Sequence, residues 1–294
     1  MLKLLERYTM NNLAGNKEPK VSIIMGIYNC ADTLAEAIDS ILSQTFWDWE
    51  LIMCDDGSKD NTLQIAEEYA SKFPEKIFVI KNVRNYGLNY TLNHCLKYVR
   101  GEYVARMDGD DISLSHRLQI ENDFLDSHPE YAIVSSPIIY FDEKGDWGEG
   151  HMREVPQLKD FVFDPPVHCH APCMIRTKAY MDVGGYTVDD RLLRFEDWNL
   201  WHKLYSKGYR GYNLQEHLYK MRDDRNAYHR RTPSSRLRSV YVQYIGFRML
   251  HMPLRYYPYL LVEFLRNLLI VIMPEKLYAF LHKRKYKGQA EYDT

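Results

Sequence analysis

The chain has 294 residues, of which 46% are hydrophobic and 27% charged, and its net charge is −2. That length supports one large α/β domain or two small ones, and the balanced charge excludes the basic excess of a nucleic-acid-binding protein. Five cysteines, odd in number and irregularly spaced, fit a reducing cytoplasm better than a secreted disulfide framework.

Residues 1–19 read as a polar leader, and the apolar run within Met1–Arg7 is too short for a signal peptide. From Lys20 the pattern becomes compact. Val21–Ile27 predicts a buried strand, and Asp32 is expected to cap a helix whose apolar residues Leu34, Ile38, Ile41 and Leu42 recur at helical spacing. Glu50–Cys54 predicts a strand, Asn61–Phe73 a helix, Lys76–Ile80 a strand, and Leu88–Val99 a helix stopped by Gly101. Glu102–Met107 is then a strand running into an acidic cluster. Strands alternating with helices imply an α/β fold with a mostly parallel sheet and helices on both faces. Such sheets bind ligands outside the C-terminal ends of their strands.

Beyond about residue 130 the pattern is mixed. Tyr131–Phe141 predicts one or two strands, Asp142–Gly150 a turn, and His168–Arg176 a strand. Glu196–Lys207 predicts a helix ended by Gly208, with Trp198, Trp201, Leu204 and Tyr205 on one side. Tyr209–Leu214 and His217–Met221 are expected to pair as a hairpin. In the tail, Leu254–Met273 is nearly all apolar, yet Arg255, Glu263, Arg266 and Asn267 cluster on roughly a third of a helical wheel. The basic run His282–Lys287 follows. An in-plane helix at a membrane surface is the favoured reading, ahead of a helix packed on the catalytic domain or in a homodimer, and of a membrane span.

Three strand tips carry the chemistry. Asp108 and Asp110 stand two residues apart in Arg106-Met-Asp-Gly-Asp-Asp111, a spacing that lets both carboxylates reach one hard cation, Mn²⁺ or Mg²⁺. Asp55-Asp56-Gly57-Ser58 is by itself a common turn. Beside a metal-type run, Asp56 becomes a candidate reader of a nucleobase, with Tyr28 stacking on that base. Arg84-Asn85-Tyr86-Gly87-Leu88 opens a helix whose amides suit phosphate or ribose. Glu196 and Asp197 open another helix, either as dipole complements or with one acting as general base. His168-Cys169-His170 and Cys173 superficially suggest zinc, but alternate side chains of an extended segment point apart, which favours a pocket-lining strand.

The ordered set Val21–Asn29, Asp55–Ser58, Asn85–Leu88, Arg106–Asp111, Gly184-Gly185-Tyr186 and Glu196-Asp197 resembles the family 2 glycosyltransferases, over about residues 20–225. The resemblance implies a GT-A fold, a nucleotide-sugar donor and inversion at the anomeric carbon. It places Gly26, Tyr28 and Asp56 around a uracil base, and Asn85 and Arg106 near ribose and diphosphate. Asp108 and Asp110 would form the metal pair, Asp110 being the direct ligand, with Asp197 the catalytic base and Glu196 touching acceptor or sugar. The segment from His168 to Cys173 would line the donor-sugar pocket. One departure stands out. Where many members carry Tyr-Arg-x-His-x-x-Ser, this chain reads Tyr219-Lys-Met-Arg-Asp-Asp-Arg-Asn226, so Arg222 or Arg225 stands in for a histidine at the diphosphate, with His229 another candidate.

The expected organisation is therefore a leader over 1–19, a catalytic domain over 20–232 (donor half about 20–111, acceptor half about 112–232) and a helical, membrane-associating region over 233–294. The expected activity is metal-dependent sugar transfer from a nucleotide sugar, UDP-linked, to a hydroxyl of a saccharide acceptor. That acceptor is expected to be lipid-linked, at the inner face of the cell membrane, in bacterial surface polysaccharide synthesis. The competing classes are a nucleotidyltransferase and a non-catalytic nucleotide-sugar-binding subunit.

Overall fold

A computed structural model describes residues 18–223, 233–273 and Leu277. The expected parallel core is present. Strands β1 (Val21–Ile27), β2 (Trp49–Asp55), β3 (Ile77–Lys81) and β4 (Tyr103–Asp108) pair in parallel, with β1 between β2 and β4. β2 is buried throughout, as an unbroken apolar run in a sheet covered on both sides should be.

Alternation along each strand divides the core between the two faces of the sheet. Ile24, Ile52, Cys54 and Val104 point to one face, where α3 (Leu88–Leu96), α6 (Thr177–Asp182) and α7 (Glu196–Ser206) pack. Ile23, Met25, Leu51 and Met53 point to the other, against α1 (Ala31–Leu42) and α4 (Arg117–Ser127); α2 is Thr62–Lys72 and α5 the short Asp160–Phe163. Asp32 does not cap α1. The helix starts at Ala31, and its first amides are satisfied from the neighbouring loop: Cys30 N–H donates to Thr62 Oγ1 at 2.8 Å and Ala31 N–H to Asp60 Oδ2 at 3.1 Å.

Beyond residue 111 the structure departs from the expectations. The main sheet has seven strands in the order β10-β6-β9-β4-β1-β2-β3, completed by β6 (Ile133–Ser135), β9 (Met174–Arg176) and β10 (Gly211–Asn213). β9 runs antiparallel between β4 and β6, and β10 lies parallel to β6. A second sheet holds β5 (Ile112–Ser113), β11 (Tyr219–Arg222), β7 (Ile138–Asp142) and β8 (Gly145–Glu149). The expected hairpin of 209–214 with 217–221 is absent, because its two halves join different sheets. Gly211 fits its place because a Cβ there would lie 2.3 Å from the His168 ring. Only 174–176 of the expected strand 168–176 forms a ladder; Pro172 has no N–H to donate. The expected turn at 142–150 contains β8, paired with β7.

In the tail, α8 (Pro233–Met249) and α9 (Pro258–Ile272) are joined by a connection that contains a 3₁₀ turn, Leu254–Tyr256. Phe247, Leu250 and Met252 join Leu200, Trp201 and Leu204 of α7 in one apolar cluster. Gly246 allows this approach, since a Cβ there would sit 2.3 Å from the His202 ring. Among the described residues, no helix is long and apolar enough to cross a membrane.

Candidate active site

The loops after β1, β2 and β3 are laced into one wall at the C-terminal edge of the sheet. Asn29 holds the second loop through Lys59 N–H at 2.8 Å and Ser58 Oγ at 3.1 Å. The buried Asp56 carboxylate accepts from Tyr86 N–H at 2.9 Å, Gly87 N–H at 2.8 Å and the Asn82 amide at 2.8 Å. Asp56 and Asn85 are thus brought together through the 82–87 turn, which Asp56 shapes directly. Asn85 itself is exposed and accepts from Gly87 N–H at 3.1 Å. Gly57 has φ +74°, and a Cβ on it would meet the Arg84 backbone at 2.9 Å, so only glycine lets these two loops touch. Tyr28 stands on the rim, 45% exposed. Gly26 has a packing role of its own, facing Leu88 and Thr91 at the start of α3.

The tip of β4 sits beside β1, with Gly26 opposite Asp108 in register. Arg106 is buried and its Nη2 contacts Asp108 Oδ1 at 2.5 Å. Asp111 lies beneath this pair, accepting from Arg222 N–H at 2.8 Å and from the Tyr219 hydroxyl. Burial, then the negative charges of Asp108 and Asp110, hold the Asp111 carboxyl well above the usual carboxylate range. Arg222 donates from Nε to the Asp110 carbonyl at 2.9 Å and from Nη2 to Glu36 Oε2 at 2.5 Å. The structure therefore gathers Arg106, Asp108, Asp110, Asp111 and Arg222. Arg225 and His229 lie outside the described residues, as does the basic run 282–287.

The acids that open α7 reach the same place. Asp197 is pushed up to about 7, first by burial and then by the Glu196 charge, while Trp198 N–H and Arg106 oppose the shift. Glu196 is raised too, chiefly by burial, and feels both Arg106 and Asp108. The approach to α7 passes the wall formed by the 82–87 turn: Leu193 lies 4.0 Å from where a Gly87 Cβ would be. Arg194, just before the acids, has φ +72°, a costly conformation for a non-glycine residue. Behind it, Asn93 grips Tyr186 through both its N–H and its carbonyl at 2.8 Å, which fixes the Gly184-Gly185 turn against α3.

His168 and His170 lie on one side, as expected from the alternation, both edge-on to Trp201. His168 bonds Asn213 at 2.6 Å and Tyr205 at 3.0 Å; His170 bonds Tyr186 at 2.7 Å. Burial lowers His168 to about 4, and burial plus the Arg106 charge lowers His170 further from its usual range, so both rings are neutral at pH 7. Among the described residues, no group of three or more His, Cys, Asp or Glu is arranged to cage a metal ion.

Arg117 and Glu121 escape a reading of motifs, and Tyr219 is read there only as the start of the run 219–226. Tyr219 bridges Asp108 N–H, at 3.2 Å, to Asp111. Arg117 and Glu121 form a fully buried ion pair at 3.1 Å, and Arg117 Nη2 also donates to the Arg106 carbonyl at 2.9 Å. The i, i+4 spacing of Arg117 and Glu121 was a visible signal for the pair; nothing local placed it under the β4 tip.

These strand tips fit what is found in known proteins. The family model for glycosyl transferase family 2 matches residues 22–185. The putative glycosyltransferase EpsE of Bacillus subtilis (strain 168) is 42% identical over 276 residues, spanning 94% of this chain and 98% of that protein. The Escherichia coli protein WfaP, a UDP-Glc:alpha-D-GlcNAc-diphosphoundecaprenol beta-1,3-glucosyltransferase, is 29% identical over 193 residues, 66% of this chain and 73% of WfaP. Among solved structures, S. aureus TarS 1–349 in complex with UDP-GlcNAc aligns with a TM-score of 0.67 at 21% identity, covering 84% of this chain and 72% of that one. With the family model spanning more than half of the chain and all the tips of β1, β2 and β4, the chain belongs to glycosyl transferase family 2 and has the GT-A fold.

Proposed function

We propose that the chain transfers a sugar from a UDP-linked donor to a hydroxyl of a lipid-linked saccharide, with inversion, during bacterial surface polysaccharide synthesis at the inner membrane face. The observation that carries this reading is Asp197. Its carboxyl is pushed up to about 7 beside Arg106, the same cation that contacts Asp108. A carboxylate of that basicity, ionised by half at neutral pH, is suited to take a proton from an acceptor hydroxyl. The hydroxyl oxygen then forms the new glycosidic bond as the bond from the anomeric carbon to the diphosphate breaks, and the proton stays on Asp197.

The other roles follow from position. Tyr28 offers an exposed ring to a uracil base. Asp56, fixed by the 82–87 turn, presents the wall against which base and ribose lie, with Gly26 keeping that wall close to the sheet and Asn85 at its edge. Arg106 and Arg222 supply positive charge for the diphosphate, and Glu196 faces acceptor or sugar. UDP-sugar use is supported by the names of two similar proteins, WfaP and the TarS complex, and a lipid diphosphate acceptor by that of WfaP.

Asp108 and Asp110 would hold Mn²⁺ or Mg²⁺. Their oxygens are hard donors, and the crowding of carboxylates that raises Asp111 is what a nearby divalent cation would relieve. When bound, the cation neutralises charge on the departing diphosphate. Asp108 and Asp110 are few ligands for such a cation, so it would be expected to bind together with the nucleotide. A thermal-shift experiment tests this. UDP with Mn²⁺ should stabilise the protein when neither does so alone; no response to any nucleotide with metal sinks the proposal.

A further inference from the structure

Helix α9 is built inside out. Its polar residues Glu263 and Asn267 are 9% and 5% exposed, whereas Leu261, Val262, Leu265 and Leu269 are 61%, 58%, 51% and 62% exposed. The usual arrangement of a helix on a globular protein is the reverse. A polar seam with α8 holds it this way. The Asn267 amide donates to Ser239 Oγ at 3.0 Å and to Glu263 Oε1 at 2.9 Å, and Arg266 donates to the same oxygen at 2.8 Å. At one end the apolar surface continues onto the catalytic domain: Phe163 meets the rings of Tyr259 at 4.8 Å and Tyr256 at 6.0 Å, both edge-on.

We propose that this outward face of α9, extended by Phe163, docks on an anionic lipid bilayer. Charge selects that occupant. Residues 233–273 contain five Arg and no Lys against one Glu and no Asp, a net +4 within a chain of net −2. A second copy would bring an equally positive region to the contact, whereas an anionic lipid surface complements it. Length sets the orientation: fifteen residues rise about 22 Å, short of the roughly 30 Å hydrocarbon core, so the helix lies in the plane of the interface. Tyr259, which is 44% exposed beside Phe163, suits the boundary between lipid and water. Because α8 packs against both α9 and α7, docking would hold the helix that begins with Glu196 and Asp197 near the lipid surface. That link to catalysis rests on the proposed transferase reading, while the surface itself does not.

The test is co-sedimentation of the full chain with vesicles of phosphatidylcholine alone or mixed equally with phosphatidylglycerol. The chain is expected to bind the mixed vesicles at least about tenfold more tightly than phosphatidylcholine alone. Leu265→Glu/Leu269→Glu is expected to lose at least about tenfold of that binding, while keeping the wild-type melting temperature and donor hydrolysis in solution. Leu261→Ser/Leu269→Ser provides a milder variant if the first does not fold. Absence of binding to anionic vesicles, or equal binding by the variants, overturns the proposal. So does a dimer seen by light scattering that either variant makes monomeric, which would assign the face to a second copy. Vesicle binding is read without substrate, so its failure is separate from a failure of sugar transfer.

Discussion

Asp197→Asn separates catalysis from stability in one substitution. Asn has nearly the shape of Asp, and its carbonyl still accepts from Trp198 N–H, but it cannot take a proton. Transfer should fall by about 10²–10⁴, the usual contribution of a positioned base, with nucleotide affinity nearly unchanged. Stability should move the other way. The Asp197 carboxyl lies at about 7 in the folded chain against 3.8 for the free group, chiefly because burial opposes its charge. The folded state therefore binds this proton more tightly than the unfolded state, and stability falls as pH rises from about 4 to about 7. Three units correspond to an upper bound of about 4 kcal/mol, reduced to about 1–3 kcal/mol by partial solvent contact. Asp197→Asn should accordingly melt above wild type at pH 8, and the gap should close near pH 4. Urea unfolding at the two pH values, beside a transfer assay, measures both. Turnover within a few-fold of wild type, or no stability gain at pH 8, refutes the reasoning.

The remaining expectations use the same physics. Wild-type kcat/KM should drop about tenfold per pH unit below about pH 7 as Asp197 protonates; a flat profile between pH 5 and 7 would move the base elsewhere. Gly57→Ala places a Cβ 2.9 Å from the Arg84 backbone at a φ of +74°, so it should cost about 1–3 kcal/mol in denaturant unfolding and raise KM for the nucleotide sugar. Arg117→Met leaves Glu121 buried without its partner and removes the bond to the Arg106 carbonyl, so it should cost about 3–5 kcal/mol. Gly246→Ala forces a methyl into the His202 ring and should cost about 1–3 kcal/mol, seen as a lower melting temperature with intact nucleotide binding.

Residues 20–111 were legible because their strands are apolar runs, two of which, β2 and β4, end in acids. The residues that hold those tips were less so. Asp56 reads as a base contact, yet its oxygens also tie down Tyr86 and Gly87, a role that depends on a loop 30 residues away. Cys30 and Ala31 draw their cap from Asp60 and Thr62, not from Asp32, because the neighbouring loop reaches the helix end first. β5, β9 and β10 are two or three residues long, too short for periodicity, and their partners are chosen across the sheet. In the tail, the wheel of Glu263, Arg266 and Asn267 was visible, but which side faces inward depends on Ser239 in another helix.

The central claim is sugar transfer from a UDP-linked donor with help from a divalent cation and Asp197. The most direct measurement is hydrolysis of a panel of nucleotide sugars by the wild-type chain, with Mn²⁺, with Mg²⁺ and with chelator, since slow hydrolysis requires no acceptor. Release of UDP from one UDP-sugar, dependent on metal and lost in Asp108→Asn/Asp110→Asn, is the expected result. Hydrolysis that persists undiminished in chelator, or none from any UDP-sugar with metal present, would contradict it.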